Sequence, residues 1–243
     1  MRVLALDTTT PAGSVALVEE DRVVDERGGD PSRTHAQRLP GDLLRVLERR
    51  GLAMSDVDLF AVASGPGSFT GLRIGIATMQ GLAVVQRRRV AAVSALEALA
   101  HLAALEAAPD AIVAAWMDAH RHEVFSALYR VRRAPPFSAD RLVELDAAAV
   151  GDPAATLARW AGPTGGALDV IIGDGAILYR DVIRRSTAAR AAIVEPPPIA
   201  GAVGRLAIGR ASRHETGDPG AVRPLYVRRP DAEVARDAAR HGP

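Results

Sequence analysis

The chain contains no cysteine, no lysine and no asparagine. The missing cysteine excludes disulfides, thiolate metal sites and a thiol nucleophile. The missing lysine excludes a Walker A phosphate loop. Aromatic residues number four Phe, three Tyr and two Trp in 243, which argues against a stacking platform for single-stranded nucleic acid. No apolar run approaches the ~18 residues of a membrane span. The opening Met1-Arg2-Val3-Leu4-Ala5-Leu6 meets an acid at Asp7, too early for a secretory leader. The expectation is a cytoplasmic protein with no membrane partner. Net charge is +1, too small for nucleic-acid binding across the whole surface. No Gly-x-Ser-x-Gly elbow occurs, so a serine hydrolase has no support.

What is present suits a folded protein. Apolar residues make up 48% and charged residues 24%, enough to offset chain entropy and exclude disorder. The length allows one or two domains with a full core. Three short apolar runs, 3–6, 14–18 and 22–25, read as an antiparallel meander. Leu39, Leu43, Val46 and Leu47 mark a helix over 34–50, with Pro40 as a kink or a restart. A buried strand over 59–63 leads through Gly65-Pro66-Gly67-Ser68 into a helix from Phe69 to Gln86. A strand over 90–93 and a capping box at Ser94-Ala95-Leu96-Glu97 open a helix to about 106. The pattern then restarts with a strand ending in Asp118 and a hairpin partner over 124–131. Residues 168–172 read as a strand, 199–215 as a helix and 222–227 as a last strand. Strand–Asp–turn–strand thus occurs twice, a sign of duplicated α/β lobes. The division is 1–106 with 196–230 as one lobe, 107–195 as the second, and 231–243 as a frayed Arg-rich tail.

Three constellations could carry chemistry. The run Gly65-Pro66-Gly67-Ser68-Phe69-Thr70-Gly71-Leu72-Arg73-Ile74-Gly75 joins a strand to a helix, where glycines permit close approach and a helix start attracts anions. It reads either as a phosphate turn or as a tight Gly-rich connection. Gly67, Gly71 and Gly75 form a small-residue strip beside an apolar stripe of Phe69, Leu72, Ile76, Met79 and Leu82, so this helix could pack on two sides, one of them a partner protein. Asp7 and Asp118 each end a strand beside a turn, where carboxylates can position magnesium or water. Thr8 and Thr9 suit a phosphate turn. The second turn, Ala119-His120-Arg121-His122, has no glycine, and Gly173-Asp174-Gly175 reads as a remnant turn or a plain strand end. Alternation along a strand would bring Asp118, His120 and His122 together as metal ligands, but the segment reads as a turn. The Arg-rich segment from Arg223 onward is the best candidate for an RNA phosphate contact.

Leu4-Ala5-Leu6-Asp7-Thr8-Thr9, the Gly65–Gly75 run, Thr34-His35-Ala36-Gln37-Arg38-Leu39-Pro40, Met117-Asp118-Ala119 through Phe125, and Pro224-Leu225-Tyr226-Val227-Arg228 stand in the order and spacing of one family. The chain resembles the TsaB (YeaZ) family, dimerization subunits of the bacterial machinery that makes threonylcarbamoyladenosine in tRNA. The resemblance implies an α/β actin/Hsp70/sugar-kinase-like fold of two related lobes with a degenerate nucleotide cleft. It implies a non-catalytic scaffold that activates TsaD, which transfers threonylcarbamoyl to N6 of the adenosine next to the anticodon. TsaD holds its metal through two helix histidines four apart, and the matching positions here are Ala95 and Leu99. The TsaE ATPase is the further partner implied, and tRNA contact is indirect. By the resemblance, the partner interface is formed by His35, Arg38, Leu39, Leu43, Gly67, Ser68, Phe69, Thr70, Gly71, Leu72, Arg73, Gly75, Ile76 and Met79, and the same helices serve self-association. Asp7, Thr8, Thr9, Asp118, Gly173 and Gly175 are vestigial phosphate turns. No metal or cofactor is expected on the chain alone, while a nucleotide near the partner interface is compatible with the family. A metallopeptidase-like protein and a small-molecule kinase of the same fold are the alternatives.

Overall fold

The computed structural model describes residues 1–165 and 167–228, the side chain of residue 163 excepted. The tail over 231–243 lies outside the described residues. The meander forms β1 (Arg2–Asp7), β2 (Ser14–Glu19) and β3 (Arg22–Gly28). After α1 (His35–Glu48) comes β4 (Leu59–Gly65), then α2 (Phe69–Gln86), β5 (Arg89–Ser94) and α3 (Ala95–Ala103). Pro40 lies within α1. The second unit runs β6 (Ile112–Asp118), β7 (Val124–Val131), β8 (Leu142–Gly151), α4 (Pro153–Thr164), β9 (Val170–Ile172), α5 (Asp174–Leu178), α6 (Arg180–Arg184) and β10 (Ala192–Val194). Helix α7 (Ala200–Ser212) follows.

The two sheets have the same strand order. The first is β3-β2-β1-β4-β5 and the second, read in the matching direction, is β8-β7-β6-β9-β10. In each, the first three strands are antiparallel and the last two run parallel to the first. Alternation along β1 explains the layering. Leu4 and Leu6 face α1 and α2, where Leu39, Leu43, Val46, Ile76 and Met79 cover them. Val3 and Ala5 face the other way, onto α7. Helices α3 and α7 share one core with the inner faces of both sheets, through Leu96, Leu99, Val203 and Leu206 on the helices and Val113, Ala115 and Met117 on β6. Helix α4, followed by α5 and α6, closes the outer face of the second sheet with Leu157 and Trp160 over Trp116 and Leu128.

Two segments depart from the sequence reading. Residues 222–227 form no strand: Leu225 N–H donates to the Ser64 carbonyl at 2.7 Å, and the edge of β5 is met instead by Gly217 at Val90. Residues 142–164, unassigned from sequence, form β8 and α4. Asp152 caps α4, accepting from Ala155 N–H at 2.9 Å, and Pro153 stands in the first turn.

Candidate functional site

The lobes face each other across a cleft of about 650 Å³. Its walls are the β1–β2 turn (Thr9, Thr10), the β4–α2 turn (Pro66 to Thr70), the β6–β7 turn (Asp118 to Arg121), Asp174, and residues 225–228. The family-implied turns therefore meet at one place. Their groups, however, are committed to holding the turns together. Asp7 is buried, and its Oδ1 accepts from Thr9 N–H at 2.8 Å and Thr9 Oγ1 at 2.6 Å. Burial pushes the Asp7 carboxyl above the usual range against the pull of these bonds, and nearby Asp174 adds to the rise. Gly173 and Gly175 sit against the backbone of β6. A β-carbon at 173 would overlap the Trp116 carbonyl, and one at 175 would approach Met117 and Asp118. Both glycines are explained by the close approach of α5 to β6.

The β6–β7 turn holds an arrangement the sequence did not reveal. His120, Arg121 and His122 have φ of 56°, 54° and 62°, three successive left-handed residues without a glycine. Each costs about 1–2 kcal/mol. The turn is closed by Ala119 N–H to the Glu123 carbonyl and Glu123 N–H to the His120 carbonyl, both at 3.0 Å. Asp118 caps it, accepting from His120 N–H at 2.9 Å and meeting His120 Nδ1 at 3.1 Å. The left-handed run breaks the strand alternation that would have aligned 118, 120 and 122. Among the described residues, no three His, Asp or Glu side chains are placed to hold a metal ion. Ala95 and Leu99 are buried in the core between the sheets.

The partner-interface assignment needs correction. Leu39, Leu43, Leu72, Ile76 and Met79 are buried within this chain and cannot form a contact surface. Gly71 and Gly75 are buried too: a β-carbon at either would overlap Thr8, and one at half-buried Gly67 would overlap Thr9. The small-residue strip is consumed by the chain's own β1–β2 turn. His35 and Arg38 fasten that turn from the other side. His35 Nε2 donates to the Thr10 carbonyl at 3.1 Å, and Arg38 donates to the Pro11 and Ala12 carbonyls while pairing with Asp42 at 3.0 Å. Burial, then the adjacent Arg38 charge, hold the His35 imidazole below its ordinary pKa.

Of the assigned interface residues, Ser68, Phe69, Thr70 and Arg73 are exposed. The outward faces of α1 and α2 also expose apolar residues: Pro40 and Leu44 on α1, and Ala77, Val84 and Val85 on α2, of which the sequence reading singled out Pro40 alone. Val84 is 64% and Val85 76% exposed. The signal was available, because α2 is apolar on the side opposite its Leu72–Ile76–Met79 stripe as well. Tyr226 and Arg228 also border the cleft.

Two sheets of one strand order, each with helices on both faces and a cleft between them, define an actin/Hsp70/sugar-kinase-like protein. A family model described as "TsaD: tRNA N6-adenosine threonylcarbamoyltransferase" matches residues 22–159. The TsaB protein of Escherichia coli is 38% identical over 54% of this chain and 55% of its own length, so the chain spans about half of that relative. An uncharacterized protein of Mycobacterium tuberculosis is 32% identical over 95% of this chain and 93% of its own. The solved structure of YeaZ from Pseudomonas aeruginosa is 32% identical, covers 93% of this chain and 99% of that one, and superposes with a TM-score of 0.73. The chain belongs to the TsaB (YeaZ) family within this TsaD-like group. Among the described residues, no helix is long and apolar enough to cross a membrane.

Proposed function

We propose that this chain is a non-catalytic subunit of tRNA threonylcarbamoyladenosine formation, and that it docks on and activates a TsaD-type transferase. The observation that carries the reading is the exposed apolar face of α1 and α2, with Leu44, Val84 and Val85 turned to solvent on the side opposite the buried stripes. The names of the relatives support the pathway. The commitment of Asp7, Gly173 and Gly175 to turn and packing roles supports a structural rather than a chemical task. The same face would mediate self-association in the absence of the partner. A TsaE-type ATPase would join the pair, tRNA would be held by the partner, and any nucleotide would sit between subunits rather than on this chain alone. The setting would be the cytoplasm.

The test is co-purification with the TsaD of the same cell, followed by reconstitution. The expected result is a stable complex, and tRNA modification that needs this chain together with TsaD, TsaE and a source of threonylcarbamoyl adenylate. Failure to form the complex overturns the reading.

A further inference from the structure

After α7 the chain turns back, passes Val222 beneath α2 and lays residues 225–228 along the cleft. The first lobe anchors this segment at several points. Val222 is buried in the layer beneath α2, and its carbonyl accepts from Gln80 Nε2 at 3.2 Å. Leu225 N–H donates to the Ser64 carbonyl at the end of β4. The Tyr226 ring stacks on Phe69 with centroids 5.3 Å apart, and its hydroxyl accepts from Arg73 Nε at 3.1 Å. The second lobe is reached by Arg228. Its Nη1 donates to the Ala119 carbonyl at 2.7 Å and its Nη2 pairs with the Glu123 carboxylate. Ala119 and Glu123 are the two ends of the left-handed β6–β7 turn, so one guanidinium spans the base of the strained loop. The planar fork of arginine suits this double contact, whereas lysine offers a single point charge.

Two lobes around a cleft are commonly drawn together by whatever bridges them, most often a ligand. We infer that residues 222–228 are a built-in brace that fixes the mouth of the cleft in this chain, and that the brace sets the first turn of α2, where Phe69 and Arg73 border the docking face. Only the second half of this inference rests on the docking reading of the preceding subsection. The brace itself joins residues of one chain and needs no partner.

Amide hydrogen exchange on the full chain, paired with affinity for the TsaD-type partner, tests both halves. Arg228→Ala removes both contacts of the tie, and Glu123→Ala removes the carboxylate one and leaves the Ala119 bond. Arg228→Ala is expected to speed exchange over residues 119–124 at least tenfold and Glu123→Ala by less, with the amides of α4 unchanged, and Arg228→Lys is expected to restore little of the protection. Tyr226→Ala is expected to speed exchange over residues 69–72 and to weaken partner binding several-fold. Unchanged protection at 119–124 in Arg228→Ala overturns the brace, as does equal acceleration across α4, which would mark general destabilisation. Faster exchange at 69–72 with unaltered partner affinity overturns the second half alone. A wild-type chain that fails to bind the partner removes the docking reading and with it the second half, while exchange on the isolated chain still decides the brace.

Discussion

Gly75 lies so close to Thr8 that a β-carbon at position 75 would overlap the threonine hydroxyl. One turn earlier, Gly71 bears in the same way on the Thr8 carbonyl. Helix α2 therefore seats on the β1–β2 turn with no room for a methyl group. Gly75→Ala is expected to destabilise the chain by about 1–3 kcal/mol through overpacking. Gly81, in the same helix, has open space where its β-carbon would stand, and Gly81→Ala is expected to stabilise by about 0.5–1 kcal/mol through helix propensity. Urea midpoints of the two variants should move in opposite directions. A shared direction would contradict the packing described.

The outward face of α2 can be altered without touching the core. Val85→Arg places a charge on a residue that is 76% exposed, near a helix C-terminus where a cation is favoured. Stability is expected to stay within about 0.5 kcal/mol of wild type. Partner affinity is expected to fall at least tenfold, because an unpaired charge would be buried on docking. Isothermal titration against the partner and urea denaturation of the free chain would read the two consequences separately.

Arg38 is 2% exposed and links α1 to the β1–β2 turn. Arg38→Ala would leave the Pro11 and Ala12 carbonyls without their donor and the Asp42 carboxylate with Arg45 alone, at a cost of about 3 kcal/mol. Arg38→Lys is expected to recover only a fraction, since an ammonium cannot reach the turn carbonyls and the carboxylate together. Chemical denaturation of both variants would measure the difference.

His101 on α3 is 3% exposed, stacks on Phe137 at 5.6 Å, and has no hydrogen-bond partner at Nδ1. Burial, followed by the charges of Arg141, Arg205 and Arg210, lowers its pKa from 6.5 to about 4. The unfolded chain takes up a proton near pH 6.5 and the folded chain does not until about pH 4. Stability from this residue is thus complete above pH 6.5 and is lost as pH falls toward 4, by about 3 kcal/mol in all. His101→Phe should flatten that part of the stability–pH curve.

The duplicated topology was legible because each copy carries its own signature, an apolar strand ending in an acid, Asp7 or Asp118, then a polar turn and a second strand. Helix α2 was legible to the residue, since its start lies in the Gly-Pro-Gly-Ser turn and its apolar stripe is unbroken. The destination of its glycines was not. A small-residue strip looks the same in sequence whether it admits a partner or, as here, the Thr8 side chain. Residues 222–227 read as a strand because their apolar and aromatic side chains fit one, yet pairing depends on which sheet edge is free, and Gly217 already meets β5 at Val90. The left-handed run at His120, Arg121 and His122 left no trace in residue type, because it is held by Asp118 and by the ends of its own hairpin rather than by glycine.

Helix α7 covers the inner face of the first sheet but is encoded after the whole of the second lobe. On the ribosome, β1 and β2 emerge well before α7 and wait with Val3, Ala5, Ala16 and Val18 uncovered, while the strands and outer helices of the second lobe are made in between. The order of synthesis and the order of completion are reversed. One helix, made after the whole second lobe, lets the first sheet become a finished structure.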